Sequence, residues 1–449
     1  MGLAGPSPQG GPSAPFFTYP SSVVAQNADD GPLDAKRQKQ LDWNNINKSL
    51  FSREAGLKDC CSWSKLHIPR FSARQRQQMK ALIRMVCIAV LISFLGCGSN
   101  KPNTAANVAL LYTVGAGANS IQGFHIQASG ELASTSVAAF PTNPRPVALA
   151  LHPSTNFLYE VNITSNTVAG FGIDHTAGIL TPVGTALPPV STGPSPVSVG
   201  TNAGGQFLFV LNQGDASISV YSIDTVRGIL TQVGSPFPTG ITTTVQSMAL
   251  SPTAQFLYVL SGSAPSTISV FSIGTNGALA VAAGAFTGAP TSNISGMMID
   301  PKGQFLYATD SANNDVVSLS IAASGALTQV AGSPFTAGTQ PAAVAVDGTG
   351  TFVYVSNAGS NNVSAFKSAS GVLTQVAGSP FTTQGTGTVA VTQPGFLIVD
   401  ATNTFLYVSN VATRGIAAFG INAADGTLVP VTNSPFGQFT ATSWMVSTK

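Results

Sequence analysis

The sequence predicts an all-β fold, a seven-bladed β-propeller built from four-stranded antiparallel blades. An apolar segment that contains an aromatic residue recurs seven times across residues 108–449, at intervals of 47 to 53 residues. Each interval holds four short β-type segments separated by turn residues, which is typical of a propeller blade. The anchor aromatics are Tyr112, Tyr159, Phe209, Tyr258, Tyr307, Tyr354 and Tyr407.

The repeat around Tyr307 shows the predicted order of elements within a blade. An apolar first strand at 297–299 precedes a turn of sequence Asp-Pro-Lys-Gly at 300–303, and the second strand follows. The polar stretch 310–315 separates the second strand from the third. A fourth strand begins after Gly325. Stacking such sheets in a ring covers their apolar faces and leaves only short edges exposed.

The two ends of the repeat region predict how the ring closes. The first repeat begins at its second strand, at 108–113, and lacks a first strand before it. The chain ends in Ser-Trp-Met-Val-Ser at 443–447, which matches the first strand of the other repeats. We therefore expect the C-terminal strand to join the N-terminal blade through main-chain hydrogen bonds.

Residues 79–96 have the features of a signal peptide. Lys80 and Arg84 precede an apolar run at 85–95 that is shorter than the roughly 20 residues a membrane-spanning helix needs. The ending Phe-Leu-Gly-Cys resembles the lipobox of bacterial lipoproteins, which implies lipidation of Cys97 and a membrane anchor of acyl chains. A buried hydrophobic helix that happens to contain Cys97 is the alternative. Gly98 after the cysteine favours the outer membrane, and 97–107 would be a tether.

Residues 1–78 carry no sustained periodicity and are predicted to be a disordered extension. A signal peptide that starts at Met79 suggests that translation begins there. The alternative is a cytoplasmic tail before an uncleaved anchor, for which the excess of Lys and Arg has the right sign.

Charge and cysteine content exclude several classes of function. Residues 97–449 hold seven Lys or Arg and eleven Asp or Glu, a formal charge of −4 with no basic cluster, so no nucleic-acid partner is expected. No cysteine follows Cys97, which excludes disulfides and thiolate sites from the repeats. We find no metal-ligand spacing of His, Asp and Glu, and 310–315 lacks the alternation of a calcium loop. Neither a metal nor a cofactor is expected.

Three recurrent phrases carry a resemblance to a known family. They are Phe-Val-Tyr-Val-Ser-Asn at 352–357, Gly-Val-Leu-Thr-Gln-Val at 371–376 and Ser-Pro-Phe at 379–381. Residues 108–449 resemble the lactonase-like seven-bladed propellers, which include 6-phosphogluconolactonase-type and muconate-cycloisomerase-type proteins and surface propellers with Tyr-Val-Thr-Asn repeats. The resemblance implies this fold and, as an activity, lactone hydrolysis in carbohydrate metabolism. The phrases are packing and turn residues, so they indicate the fold more specifically than the reaction.

A ring of polar residues follows the anchor aromatics, at the end of each second strand. The loops from second to third strands and those that enter the first strands are expected to open on one face, around the central channel. There, side-chain amides could bind a sugar; alternatively, each caps its own turn. The candidate ligand-binding residues are Asn162, Asn212, Asp310, Asn357 and Asn410, with Arg414 on the same rim.

Two further residues depart from the repeat. Arg145 is the one cation at a position otherwise held by Gly193, Thr244, Asn293, Gln340 and Gln393. Its guanidinium could hold an anionic or carbonyl-bearing ligand, unless it is a surface arginine paired with a loop carbonyl.

Glu160 occupies a strand position that is apolar in most repeats. Burial would raise its pKa, as suits a general acid or base; the alternative is a tilted, exposed strand edge. Arg145 and Glu160 are the candidate catalytic pair.

Two functions remain open on these grounds. We favour a lipid-anchored module of the cell envelope that binds a glycan or an envelope protein at its channel mouth. The alternative is a hydrolase of a small sugar-type lactone, with Arg145 and Glu160 as its catalytic pair. We expect a monomer that contacts the membrane only through its anchor.

Overall fold

The computed structural model describes residues 109–448 except 116, 118, 138, 185–188, 263, 384–392 and 438–441. Every regular element in this part of the chain is a β-strand. No helix long and apolar enough to cross a membrane occurs among these residues. The predicted extension at 1–78, the signal peptide at 79–96, the lipidation site Cys97 and the tether at 97–107 lie outside the described residues.

The strands form seven antiparallel sheets, which confirms the predicted seven-bladed propeller. Each blade runs from an innermost first strand to an outer fourth strand, and in five blades a two-residue strand also pairs with the third. Blade 1 holds β1 (Leu110–Gly115), β2 (Ser120–Ile126), β3 (Leu132–Ser134) and β4 (Phe140–Pro141). Blade 2 holds β5 (Pro146–Leu151), β6 (Phe157–Asn162), β7 (Thr167–Ile173), β8 (Leu180–Pro182) and β9 (Val190–Ser191). Blade 3 holds β10 (Pro196–Thr201), β11 (Phe207–Asn212), β12 (Ser217–Ile223), β13 (Leu230–Gln232) and β14 (Phe237–Pro238).

The remaining blades follow the same order of strands. Blade 4 holds β15 (Val245–Leu250), β16 (Phe256–Ser261), β17 (Thr267–Ile273) and β18 (Leu279–Thr287). Blade 5 holds β19 (Ile294–Ile299), β20 (Phe305–Asp310), β21 (Asp315–Ile321), β22 (Leu327–Gln329) and β23 (Phe335–Thr336). Blade 6 holds β24 (Pro341–Val346), β25 (Phe352–Asn357), β26 (Asn362–Ala369), β27 (Val372–Gln375) and β28 (Phe381–Thr382). Blade 7 holds β29 (Pro394–Val399), β30 (Phe405–Asn410), β31 (Gly415–Ile421) and β32 (Leu428–Pro430), and β33 (Thr442–Ser447) ends the chain.

The C-terminal strand closes the ring as predicted. β33 pairs antiparallel with β1, with Tyr112 opposite Val446 and Val114 opposite Trp444. It is therefore the first strand of blade 1, and it lies between the first strands β29 and β5 of the two neighbouring blades. The ends of the repeat region are joined by the same ladder that holds every other blade together.

A repeated contact joins five of the blades to the next blade. Tyr258 of blade 4 donates a hydrogen bond from its hydroxyl to the carbonyl oxygen of Gly325 in blade 5, at 3.0 Å. Phe256, two residues earlier, packs on the same glycine, whose φ is +82°. The same hydroxyl-to-glycine bond is made by Tyr112 to Gly178, Tyr159 to Gly228, Tyr354 to Gly426 and Tyr407 to Gly130.

Burial of these tyrosines explains why the contact is stabilising. Tyr258 is fully buried, and burial raises its pKa to about 12, so the hydroxyl keeps its proton as a donor. A buried hydrogen bond of this kind contributes about 1 kcal/mol, and the aromatic ring adds the larger gain of removing apolar surface from water. The Tyr407 bond to Gly130 joins blade 7 to blade 1, so this contact also spans the closure.

The glycine in this contact is required for two separable reasons, which a pair of substitutions distinguishes. Gly228 and Gly234 both have positive φ, +71° and +66°, but a Cβ would overlap the Phe157 ring at Gly228 and meets nothing within 4 Å at Gly234. We expect Gly234→Ala to cost about 1–2 kcal/mol from backbone strain. Gly228→Ala should cost about 1–3 kcal/mol more because of overpacking. Urea denaturation followed by circular dichroism measures both, and equal losses of stability would contradict the packing role.

Candidate functional site

The loops that end the second strands and the loops that enter the first strands meet at one end of the propeller, called here the rim. In four blades, an asparagine before the third strand accepts a hydrogen bond from the main-chain N–H of the residue before the next first strand. Asn166 accepts this bond from Ser195 at 2.7 Å, and Asn314 accepts it from Gln340 at 2.8 Å. Asn119 accepts the corresponding bond from Arg145 at 3.2 Å. These bonds fix adjacent blades to each other at the rim.

The predicted ring of polar residues is present but buried. Asn162, Asn212, Asp310, Asn357 and Asn410 are each at most 2% exposed. Their side chains bind nearby groups of the protein: Asn212 donates to Ser217 and Ser219, Asn357 donates to Asn362 and Ser364, and Asn410 donates to the carbonyl of Thr383. A ligand would have to displace these hydrogen bonds to reach the amides, so the arrangement fits the capping interpretation better than direct binding.

Arg145 and Arg414 lie exposed on the rim. Both have a left-handed backbone, with φ of 57° and 58°. Arg145 precedes β5, and Arg414 precedes β31 at the position that Asn166 and Asn314 hold in their blades. Within the described ranges, the one ion pair joins Arg227 and Asp224, and neither rim guanidinium donates a hydrogen bond there. Both cations are therefore free to meet a ligand.

The sequence alignment at the Arg145 position needs one correction. The residue of blade 3 that precedes the first strand is Ser195, with φ of 52°, and not Gly193. β10 ends in Gly200 and Thr201, which are not large apolar residues, so counting back from the last apolar residue placed the equivalent position two residues early.

Glu160 is completely buried between blades 1 and 2. It lies opposite Leu149 and Ala169 on the neighbouring strands, and Leu149 packs in the apolar cluster with Leu158 and Val114. The exposed strand edge considered as an alternative is therefore wrong. Burial raises the pKa of Glu160 to about 8, although the Thr142 side chain opposes the rise. The carboxyl is mainly protonated at neutral pH.

A hydrogen-bonded chain links this acid to the loop that carries Arg145. The Asn162 amide nitrogen faces Glu160 Oε1 at 2.8 Å and the carbonyl oxygen of Asn143 at 3.0 Å, in the amide orientation that satisfies both oxygens. The next residue, Ile163, donates its N–H to the carbonyl of Arg145 at 3.2 Å. Glu160 Oε2 has no hydrogen-bond partner among the described residues. Glu160 thus supports Asn162 and the loop 142–145, and does not itself reach the surface.

An aromatic pair on two neighbouring first strands escaped the sequence analysis. Phe396 of β29 and Trp444 of β33 are half-buried, with ring centroids 4.7 Å apart and planes at 31°. The third residue of every other first strand is small: Ala148, Ser198, Ser247, Gly296 and Ala343. The contrast at this one position was visible in the sequence, but alignment on the second-strand tyrosines did not draw attention to it.

One cavity lies away from the two rim arginines and Glu160. It has a volume of about 340 Å³ and lies along β7, bordered by Phe171, Val190 and Leu230. Its lining is mainly apolar, and neither Arg145 nor Glu160 contributes to it. No group of three His, Cys, Asp or Glu side chains in the described part of the chain could hold a metal ion.

Because the pKa of Glu160 is raised in the folded state, the stability of the protein should depend on pH. Its folded-state value of about 8 exceeds its ordinary value of 4.5, so its stabilising contribution is complete below about pH 4.5 and is lost as the pH rises towards 8. Glu160→Gln keeps a neutral side chain at every pH. We expect its melting temperature relative to wild type to rise steadily from pH 5 to pH 8, in differential scanning calorimetry. A difference that does not change with pH would contradict burial of the ionisable carboxyl.

Comparisons with known proteins agree with this architecture. The family model described as lactonase, 7-bladed beta-propeller, matches residues 105–247 and 247–391. A putative 6-phosphogluconolactonase from Bacteroides fragilis is 22% identical, with 78% of this chain and 100% of that chain covered and a TM-score of 0.63. The periplasmic gluconolactonase PpgL from Pseudomonas aeruginosa is 20% identical, with 76% and 99% covered and a TM-score of 0.62.

The structural likeness at this level of identity shows the shared fold. No curated protein sequence matches the chain. The family model accounts for more than half of the residues, in two consecutive matches that together span most of the propeller. The chain belongs to the lactonase family of seven-bladed β-propellers.

Proposed function

We propose that the rim of blades 7, 1 and 2 binds a small polar ring compound of the sugar-lactone class, or the hydroxy acid to which it opens. One observation supports this most directly: the rim arginines and the aromatic pair that depart from the repeat all lie in this sector. Arg414 lies on blade 7, Arg145 lies between blades 1 and 2, and Phe396 and Trp444 lie on the first strands of blades 7 and 1. Residues that serve only the repeat would not differ in three adjacent blades.

The chemistry of these side chains suits such a ligand. An unpaired guanidinium presents several N–H donors in a fixed plane and binds a carbonyl or carboxylate through paired hydrogen bonds. A half-buried aromatic surface offers an apolar platform for the C–H face of a sugar ring. Binding sites typically combine an apolar surface with a few polar groups in this way.

The names of the structural neighbours support the same class of ligand. They are a putative 6-phosphogluconolactonase and a periplasmic gluconolactonase. The second is named as a periplasmic enzyme, which is compatible with a lactone ligand for a protein of the cell envelope. We propose a gluconolactone-type ring as the ligand class.

Binding without turnover is the function we favour. In blades 7, 1 and 2, the described rim residues include no exposed carboxylate or histidine that could activate water. Glu160 is buried and mainly protonated at neutral pH, so we propose that it positions Asn162 and the Arg145 loop rather than acting as a general base. The protein would then be a binding module of the cell envelope, anchored through Cys97.

Lactone hydrolysis is the second candidate, and family membership favours it. In that reaction water adds to the ring carbonyl, the ring C–O bond breaks, and a hydroxy acid forms. Arg145 would stabilise the negative charge that develops on the carbonyl oxygen. A water held by the main-chain groups of the rim would have to supply the nucleophile.

Isothermal titration calorimetry tests the binding site. The probe is gluconolactam, a ring-shaped lactone analogue whose amide resists hydrolysis, and the protein is the full chain. Arg145→Ala should weaken binding roughly ten- to a hundredfold, because it removes charged hydrogen bonds to the ring carbonyl. Arg227→Ala is the matched control. Arg227 is also exposed, but it pairs with Asp224 in the hairpin between β12 and β13, at the end of β12 that is away from the rim.

The outcomes separate the two candidate functions. Binding that is lost in Arg145→Ala and kept in Arg227→Ala supports the site. Gluconolactone hydrolysis above the spontaneous rate, lost in the same variant, would replace the binding module with a lactonase. Equal affinity in wild type and Arg145→Ala would contradict both functions at this site.

A further inference from the structure

Blade 5 lacks a side-chain hydrogen bond that blades 3 and 6 make. The last residue of the second strand faces the first residue of the third strand across a tight hairpin. In blade 3, Asn212 donates to Ser217 at 3.0 Å, and in blade 6, Asn357 donates to Asn362 at 2.8 Å. In blade 5 the paired residues are Asp310 and Asp315. Two carboxylates are both acceptors, so the donor-to-acceptor bond of the repeat cannot form between them when both are ionised.

The Asp310 carboxylate accepts hydrogen bonds from its own hairpin and from the loop that enters blade 5. Its Oδ1 accepts the N–H groups of Asn293 at 3.0 Å and Ala312 at 3.1 Å, and its Oδ2 accepts the Asn313 amide at 2.8 Å. These bonds hold the Asp310 carboxylate at the end of β20.

Two side-chain oxygens beside the Asp310 carboxylate have no hydrogen-bond partner among the described residues. Asp315 Oδ1 is buried and makes no hydrogen bond to any described residue. The Ser292 hydroxyl comes from the loop that enters blade 5, and the residue is 1% exposed. This hydroxyl lies next to Asp310, to which the adjacent Asn293 donates its N–H, yet it makes no hydrogen bond of normal geometry among the described residues. Buried oxygens without donors are costly unless something positive satisfies them.

We propose that Asp310, Asp315 and Ser292 form a cation site, with Ca²⁺ as the preferred ion. All the available donors are oxygens, which suits a hard cation, and Ca²⁺ accepts the irregular geometry and added waters that loops provide. The site joins the hairpin of blade 5 to the loop from blade 4, on a different part of the rim from Arg145. The expected affinity is weak, about 0.1–1 mM, because only two ligands are carboxylates.

The sequence pattern predicted no calcium site here, and the structure explains why. The stretch 310–315 has no calcium-loop alternation, because the third ligand comes from residue 292, in a separate loop. The hairpin register brings Asp310 and Asp315 together, and the loop into β19 brings Ser292 to them. This set of residues is visible only once the blade has formed.

Thermal unfolding of the full chain with and without calcium tests the proposal. At pH 7.5, 5 mM CaCl₂ should raise the melting temperature by a few degrees relative to EDTA, because the ion binds only the folded state. Asp315→Asn should abolish the shift while restoring the amide-type pair of blades 3 and 6, so the variant is expected to fold. Glu131→Gln, which removes a carboxylate from the outer hairpin of blade 1, should keep the shift.

Three results would overturn the cation site. The first is a melting temperature that does not respond to calcium in the wild type. The second is a calcium shift that persists in Asp315→Asn. The third is stabilisation by acidification to pH 5.5 that occurs in the wild type but not in Asp315→Asn, without any effect of calcium, which would show that the two carboxylates share a proton instead of a metal ion. Calorimetric titration with CaCl₂ alone should give one site per chain in the wild type and none in Asp315→Asn.

Discussion

The propeller depends on the contact between an aromatic pair of one blade and a left-handed glycine of the next. The phenylalanine covers the glycine, and the tyrosine two residues later donates to its carbonyl oxygen, as Phe157 and Tyr159 do at Gly228. The contact is not identical everywhere. Phe209 has no hydroxyl, and Tyr307 bonds to the Ser368 side chain at 2.7 Å instead. Five copies of the glycine bond, one of them across the closure, are nevertheless enough to fix the spacing of most blades.

This constraint decides where function can lie. The residues that make the repeat are engaged in holding the ring, and the buried amides of the rim are engaged in holding its loops. Functional groups are therefore expected among side chains that differ between blades. With only 8% of the chain charged, each such departure has a large effect on the local field. The arginines lie on the side of blades 7, 1 and 2, and the carboxylate pair lies on blade 5.

Much of the fold and less of the site could be predicted from the sequence. The spacing of the anchor aromatics predicted the number of blades. The missing first strand of the first repeat predicted closure by β33, because β1 needs a strand to pair with. Glu160 was recognised as a carboxylate in an apolar position. Its complete burial, and its bond to Asn162, depend on how blade 1 packs over blade 2. The packing of one blade on the next cannot be deduced from a single sequence.

A crystal structure of the protein with gluconolactam would show directly where the ligand binds. We expect the ring carbonyl to lie against the Arg145 guanidinium and the ring to face the Trp444 side of the channel mouth. Glu160 should remain buried behind Asn162. A ligand bound along β7, or one on the rim that contacts neither Arg145 nor Trp444, would contradict the placement of the functional site.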